Sequence, residues 1–159
     1  VLYHSLMPTN LYGPGDNYDI ARAHVLPAMI RKFETARLRN EPTVTLWGSG
    51  APLREFLHVD DLAAACLFVL GLDNPPDLVN CGSGHEVTIR TLAEMVQEAC
   101  GCRAQIVWDR TKPDGTPRKL CDTSLIRSLG WVPKIDLAEG LRRTVCEYRA
   151  ALAAGEARL

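Results

Sequence analysis

One arginine stands out in residues 44–61, which read VTLWGSGAPLREFLHVDD. Gly48, Gly50 and Pro52 interrupt regular structure after a β-prone run, and a second apolar-alternating run follows them. The spacing therefore predicts that Arg54 lies on a glycine-bounded turn between two strands. A guanidinium held there can donate two parallel hydrogen bonds to a phosphate, although a surface arginine in a polar loop would read the same way.

Two side chains of the next candidate helix could also do chemistry. His24 precedes an apolar-periodic run, and an imidazole titrates near neutral pH, as the removal and return of a proton beside a ketone requires. A histidine at a helix start can equally be a polar cap residue. Lys32 follows two turns later on roughly the same face, where it could bind an anion or be a solvated lysine.

Residues 109–119 form a loop rich in charged and turn-forming residues, and include KPDGTPRK. Lys112, Asp114, Arg118 and Lys119 lie within eight residues of one another. A loop of mixed charge is usually solvated, so its neighbours in the fold decide whether it contacts a ligand.

Composition describes an ordinary globular chain of 159 residues, 47% hydrophobic and 23% charged. The net charge of −1 gives no electrostatic reason to expect nucleic acid or an anionic membrane as a partner. No apolar run approaches the ~20 residues that span a bilayer, and the start has no signal-peptide pattern. Because the chain lacks an initiator Met and begins in a strand-like run, we expect a fragment of a longer protein.

The six cysteines have no zinc-type spacing, so no metal site is expected and the thiols are predicted to be free, reduced and cytoplasmic.

The alternation of strand-like and helix-like patterns predicts an α/β fold. Asp60 is the predicted N-cap of the second helix. The predicted strands cover residues 1–7 (buried), 43–47, 78–81, 104–108 and 120–122, and a loop covers 11–19. The predicted helices begin near residue 24–26 and end at 39, and then cover 62–72, 89–100, 124–130 and 137–153.

Four blocks of the chain resemble, in order, the extended short-chain dehydrogenases/reductases that act on nucleotide sugars. They are PTNLYGPGDN (8–17), HVLPAMIRKF (24–33), WGSG…REFLHVDDLA (47–63) and KPDGTPRKL (112–120). Within that superfamily they are most similar to the GDP-L-fucose synthases. The resemblance implies an NADPH-dependent GDP-4-keto-6-deoxymannose 3,5-epimerase/4-reductase with a GDP-sugar substrate, most often a homodimer. It also implies a cytoplasmic enzyme.

The resemblance also implies roles for individual residues. Pro8, Thr9, Asn10, Leu11 and His24 match residues that contact the nicotinamide end of NADP(H), and His24 matches the acid of the epimerisation. Pro8, Thr9 and Asn10 could instead simply end a strand, with no contact to a cofactor. Trp47 could instead be a core residue. The residues that match contacts to the nucleotide sugar are Val25, Lys32, Trp47, Arg54, Asp114 and Lys119.

The chain contains neither GxGxxG nor Tyr-x-x-x-Lys, which such reductases carry. It therefore resembles the C-terminal part of an extended short-chain dehydrogenase/reductase. Residues 1–18 and 56–84 would be remnants of the NAD(P)-binding Rossmann domain, and residues 19–55 and 85–159 a small α/β substrate-binding domain. We expect this chain alone to show no turnover and to bind NADP(H) weakly.

Two other functions remain open. The chain could belong to another nucleotide-sugar epimerase or reductase of the same superfamily, or be a non-catalytic nucleotide-binding or oligomerising domain. Self-association is expected through the strand edge at 1–7 and the apolar helix at 62–72. The central expectation is that Lys32, Arg54 and Lys119 share one pocket for a diphosphate, with His24 beside the sugar.

Overall fold

The computed structural model describes residues 3–159 and has the predicted α/β organisation. The first two residues of the predicted strand 1–7 lie outside the described range. The elements are β1 (Ser5–Pro8), β2 (Asn10–Tyr12), α1 (Val25–Arg39), β3 (Thr43–Trp47), β4 (Leu53–His58), α2 (Val59–Leu70), β5 (Leu78–Cys81), β6 (Glu86–Thr88), α3 (Ile89–Cys100), β7 (Gln105–Asp109), β8 (Arg118–Lys119), α4 (Ser124–Ser128) and α5 (Leu137–Ala154).

Strand β4 is the centre of the largest sheet. Its second half pairs in parallel with β2, and its first half pairs antiparallel with β6 and parallel with β8. Two further parallel pairs, β1 with β5 and β3 with β7, flank this sheet. Ligands of open α/β sheets bind at the carboxyl ends of parallel strands, so the ends of β1 and β2 mark a candidate site.

The apolar side chains form two cores. The larger one gathers α1, α3 and α5 around β3 and includes Phe33, Leu92 and Leu141. The smaller one joins α2 and β5 to the short helix α4, and includes Val69 and Trp131.

The patterns that predicted α1 and β3 are confirmed by burial. The inner face of α1 repeats every three or four residues, and Asn40 ends the helix in the left-handed conformation. Along β3 every second residue is buried, so Val44 and Leu46 point inward while Trp47 is exposed. Trp47 is therefore not a core residue.

Three predictions about the strands were wrong. Residues 11 and 12, predicted as the start of a loop, belong instead to β2, because their main chain pairs with β4. The strand predicted at 120–122 lies instead at Arg118–Lys119, where it pairs with β4. Strand β1 is only partly buried, because Leu6 packs on the smaller core while Met7 faces solvent.

Helix α2 begins at Val59, not at Leu62, and His58 is its N-cap instead of Asp60. The His58 Nδ1 atom accepts a hydrogen bond of 3.2 Å from the Asp60 N–H. This bond places the proton of a neutral His58 ring on Nε2.

A buried carboxylate fastens α1 to α5. Glu34 accepts hydrogen bonds from Arg149 at 2.7 and 3.0 Å and from Arg37 at 2.9 Å. Arg149 also donates to the carbonyl of Cys100, at the end of α3. Burial alone would raise the pKa of Glu34, but the two arginines outweigh it and the pKa lies below its ordinary value.

All six cysteines are free thiols. Within residues 3–159, no helix is long and apolar enough to cross a membrane, and no group of His, Cys, Asp and Glu side chains has the geometry of a metal site.

Candidate functional site

A cavity of about 730 Å³ opens beside the ends of β1 and β2. This volume is typical of a small-molecule site. Its walls come from β2 and the loop after it, the first turn of α1, the middle of β4, and β8. The lining residues are Thr9, Asn10, Leu11, Tyr12, Gly13, Pro14, Gly15, Asp16, His24, Val25, Leu26, Arg54, Phe56, Val59 and Lys119.

Two cations meet on one wall of this cavity. Arg54 lies in β4 and Lys119 in β8, and the two residues are direct register partners in parallel strands. Arg54 is half-buried and donates from Nη1 to the carbonyl of Leu53 at 2.7 Å, while Lys119 is exposed. The prediction that Arg54 sits on the turn was wrong, because the strand pairing of β4 begins one residue earlier, at Leu53.

His24 stands at another wall, as the residue before α1. Its backbone is extended and its side chain makes no cap hydrogen bond, so the imidazole is not occupied as a cap. Asp16, which sequence reasoning missed, lines the same cavity. Burial raises the pKa of Asp16 above its ordinary value, and the Asn17 amide and the nearby His24 partly offset the rise.

The residues proposed to meet a nicotinamide lie partly on the cavity. Thr9, Asn10 and Leu11 line it, whereas Pro8 lies in β1 and pairs with Cys81. The Asn10 amide donates to the carbonyl of Glu55 at 2.7 Å, and the Thr9 hydroxyl reaches the same oxygen at 3.3 Å.

Lys32 does not share this cavity, so the prediction of a single pocket for all three cations was wrong. It lines an adjacent cavity of about 270 Å³ with Trp47, and Val25 lines both. The Lys32 ammonium donates to the carbonyl of Thr45 at 2.9 Å and lies 5.7 Å from the Trp47 ring centroid. Lys112 approaches the same ring, also at 5.7 Å. Desolvation lowers the pKa of Lys32.

Asp114 fixes the charged loop to the glycine turn. Both of its oxygens accept hydrogen bonds from Ser49, at 2.7 Å from the amide and 2.5 Å from the hydroxyl. These bonds lower the pKa of Asp114. Gly48 has φ of +81°, and a Cβ atom there would meet the Asp114 carboxylate, so a side chain would be strained and would push the loop away. Asp114 therefore holds the loop in this structure.

A second residue missed from the sequence is Glu55, which is fully buried on β4 between two cavity-lining residues. Its carboxylate accepts from the amides of Gly84 at 2.6 Å and Cys121 at 2.9 Å. The available clue was an acidic residue within an apolar strand, since such a residue is buried only when its oxygens are paired.

The fold is that of an α/β protein with a cavity at the carboxyl ends of parallel strands, and comparison with known proteins identifies its family. The profile of the NAD dependent epimerase/dehydratase family matches residues 1–82, and the chain belongs to that family.

Its relatives carry a more specific name. The chain is 57% identical to Putative GDP-L-fucose synthase 2 of Arabidopsis thaliana over 87% of this chain and 42% of that protein. It is 47% identical to GDP-L-fucose synthase of Escherichia coli (strain K12) over 89% of this chain and 47% of that protein. The crystal structure of a GDP-L-fucose synthetase from Naegleria fowleri superposes with a TM-score of 0.91 and 27% identity, over 99% of this chain and 48% of that one. The chain thus spans about half the length of the relatives it matches.

Proposed function

We propose that this chain is the nucleotide-sugar-binding part of an NADP-dependent GDP-4-keto-6-deoxymannose 3,5-epimerase/4-reductase, which makes GDP-L-fucose. The observation that carries the proposal is the pairing of Arg54 with Lys119 on a cavity that His24 also lines. Relatives named GDP-L-fucose synthase support the choice of substrate.

The two cations would hold the diphosphate. Arg54 offers a planar fork that matches two phosphate oxygens, and Lys119 adds a mobile point charge. Val25 lines both cavities, so one extended ligand can lie across it. Trp47 and Lys32 would then contact the part of the nucleotide sugar that enters the smaller cavity. Asp114 would act on the substrate chiefly by holding the loop that carries Lys119.

His24 would move a proton at the sugar. Epimerisation at a carbon beside a ketone removes a proton and returns one on the opposite face. An imidazole can return it because it titrates near neutral pH. Its side chain is free of cap hydrogen bonds, and Asp16 lines the same cavity.

The residues present fit one end of a dinucleotide. Asn10 is anchored through one N–H and keeps a carbonyl oxygen and a second N–H, which is the donor and acceptor pair that a nicotinamide carboxamide needs. Thr9 and Leu11 would contact the nicotinamide beside Asn10. Pro8, the last residue of β1, would fix where these residues begin. NADPH supplies the hydride for the reduction. The chain has no glycine-rich phosphate fingerprint, so we propose that it binds NADP(H) weakly by itself.

The domain assignment follows from the same proposal. Residues 1–18 and 56–84 would belong to the dinucleotide-binding domain, and residues 19–55 and 85–159 to the substrate domain. We also propose a homodimeric, cytoplasmic enzyme.

Calorimetric titration of the chain with GDP and with UDP tests the proposal. We expect GDP to bind more tightly, and Arg54→Gln to weaken it by about 10-fold or more, equivalent to ~1.4 kcal/mol. Arg103→Gln is the matched control, because Arg103 is an exposed arginine that lines a different cavity. Equal affinity for UDP would favour another nucleotide-sugar enzyme. No binding of either nucleotide would reject a nucleotide site on this chain.

To test the catalytic part of the proposal, this chain must be fused to the N-terminal half of a relative. We expect NADPH oxidation with the keto-sugar in the joined protein and none with this chain alone. In the joined protein His24→Asn should retain nucleotide binding and lose solvent-proton exchange at the sugar. Turnover by the chain alone would contradict the proposal.

A further inference from the structure

Glu55 makes hydrogen bonds to three segments of the chain, those that contain Asn10, Gly84 and Cys121. It uses both its side-chain carboxylate and its main-chain carbonyl. Among residues 3–159 the carboxylate accepts only from neutral groups, namely the amides of Gly84 and Cys121 and, at 3.5 Å, the Ser83 hydroxyl. The carbonyl accepts from Asn10 and Thr9. Gly82 packs directly against the carboxylate and leaves no room for a Cβ atom. The side chain is therefore held in one place from several directions.

Strand β8 needs such an anchor. It is two residues long, and all residues from 111 to 120 are exposed, so the pairing of Arg118 and Lys119 with β4 has little packing to support it. Fixed points lie on both sides of β8. On one side Asp114 is bound to Ser49, and on the other the Cys121 amide is bound to Glu55.

We propose that Glu55 is a positioning residue that holds Lys119 beside Arg54 and so sets the spacing of the cation pair. This inference rests on the proposed function for its ligand, a nucleoside diphosphate. The Asn10 amide donates to the main-chain carbonyl of Glu55 and so ties the nicotinamide-side residues of β2 to β4. One residue therefore contacts both halves of the site.

A carboxylate is required because both oxygens must accept. A glutamine presents one acceptor oxygen, and its NH₂ group would face one of the two amide donors. Glu55→Gln should therefore release either the Gly84 turn or the Cys121 segment, while the size of the side chain stays almost the same.

Asp61 offers a matched control. It is also a buried carboxylate that accepts from two main-chain amides, those of Lys134 and Ile135, both at 3.0 Å. The segment it holds does not line the 730 Å³ cavity. Asp61→Asn therefore removes an equivalent structural bond without touching the cation pair.

The test combines hydrogen exchange with GDP calorimetry on the 159-residue chain. In Glu55→Gln we expect faster amide exchange in the peptide that contains Lys119 and Cys121, and GDP affinity lower by about 10-fold. In a Lys119→Gln background the same substitution should change GDP affinity by less than about two-fold, because its effect acts through Lys119. Asp61→Asn should loosen the segment at residues 132–136 and leave GDP affinity unchanged.

The inference is overturned if Glu55→Gln leaves exchange at residues 118–121 unchanged. It is also overturned if the loss of affinity is equal with and without Lys119, or if Asp61→Asn causes the same loss. Should Glu55→Gln fail to fold, Cys121→Pro removes the same hydrogen bond from its donor side, at a half-buried residue, and must give the same loss of GDP affinity. If the unmodified chain binds no GDP, the proposed function fails, and the exchange measurement still decides whether Glu55 holds β8.

Discussion

Arg54 and Lys119 are register partners on the parallel strands β4 and β8, and both side chains line one cavity. Neighbouring strands lie about 4.8 Å apart, so the two charges start from closely spaced backbones. Within residues 3–159 neither side chain has a carboxylate partner closer than 4 Å. Two adjacent unpaired cations repel each other, and a diphosphate between them would convert that repulsion into binding.

The first prediction is that removing the Lys119 charge weakens GDP binding without lowering the stability of the fold. Lys119→Gln relieves the repulsion, so the melting temperature of the free chain should stay the same or rise slightly, while GDP affinity falls by about 10-fold. Differential scanning fluorimetry with and without GDP measures both. Lys134→Gln is the control, because Lys134 is an exposed lysine on another cavity. A lower melting temperature for Lys119→Gln without GDP would show that the lysine serves the fold instead.

The second prediction concerns Trp47 as a reporter. Its indole is 64% exposed between two lysine ammonium groups, whereas Trp131 is 6% exposed. A nucleotide sugar that enters the smaller cavity would displace water from this ring. Its fluorescence emission should therefore move to shorter wavelength on addition of a GDP-sugar.

Two variants assign that change to one ring. Trp47→Phe should abolish it and weaken binding by less than about five-fold, since an exposed cation–π contact contributes about 0.5–1 kcal/mol. Trp108→Phe should keep it, because Trp108 stacks with Arg90 and lines neither cavity. A shift that survives in Trp47→Phe would mean that the ligand does not reach the smaller cavity.

The third prediction uses the lowered pKa of Glu34. A group whose pKa is lower in the folded state stabilises the fold above its unfolded pKa, and this contribution is lost as the pH falls through the folded value. Glu34→Gln should therefore reduce the free energy of unfolding by about 3 kcal/mol at pH 7, as expected when a buried ion pair loses one partner. The difference from the unmodified chain should shrink as the pH is lowered below about 4. Urea denaturation at several pH values measures it.

Glu139→Gln is the matched control for that experiment. Glu139 also accepts from two arginines, Arg142 at 2.7 Å and Arg143 at 2.8 Å, but all three side chains are open to solvent. Water and salt screen such pairs, so its loss should change stability very little at any pH. An equal effect of the two substitutions would show that burial of Glu34 is not what makes its pairing strong.

Periodicity predicted the elements that have one apolar face. The inner face of α1, the alternation along β3 and the bounds 89–100 of α3 all follow from local sequence, and each is confirmed. The short strands β2 and β6 were missed and β8 was placed two residues too late, because two or three residues show no period and become strands only through pairing with β4.

The site shows the same difference between features that local sequence predicts and features that depend on distant parts of the chain. His24, Arg54 and Lys119 were found from residue type and resemblance, and the structure brings them to one cavity. Lys32 was expected in that cavity from its helical spacing and from the resemblance, but its ammonium turns toward Thr45 on β3. Glu55 was missed because its function depends on amides that lie 29 and 66 residues away in the chain.

The last prediction is self-association of this chain. Leu67 and Leu70 on α2 are 73% and 72% exposed, and Met7 and Leu78 on the β1–β5 pair are each 55% exposed. In the parallel register, Leu6 and Val79 face the smaller core, so Met7 and Leu78 share the opposite, uncovered face of these two strands. A two-stranded sheet with one bare apolar face is marginal in water, and pairing with a second copy would cover it.

Sedimentation velocity over a range of concentrations measures the association. We expect the unmodified chain to form dimers or larger species at micromolar concentration, and Leu67→Glu combined with Leu70→Glu to shift the distribution toward monomer. Leu38→Glu is the control, since Leu38 is a single exposed leucine, 58% exposed near the end of α1. If the double variant sediments like the unmodified chain while Met7→Glu gives monomer, the contact lies on the strands and not on α2. A monomer for the unmodified chain at all concentrations would contradict the prediction, because these apolar surfaces would then be stable in water without a partner.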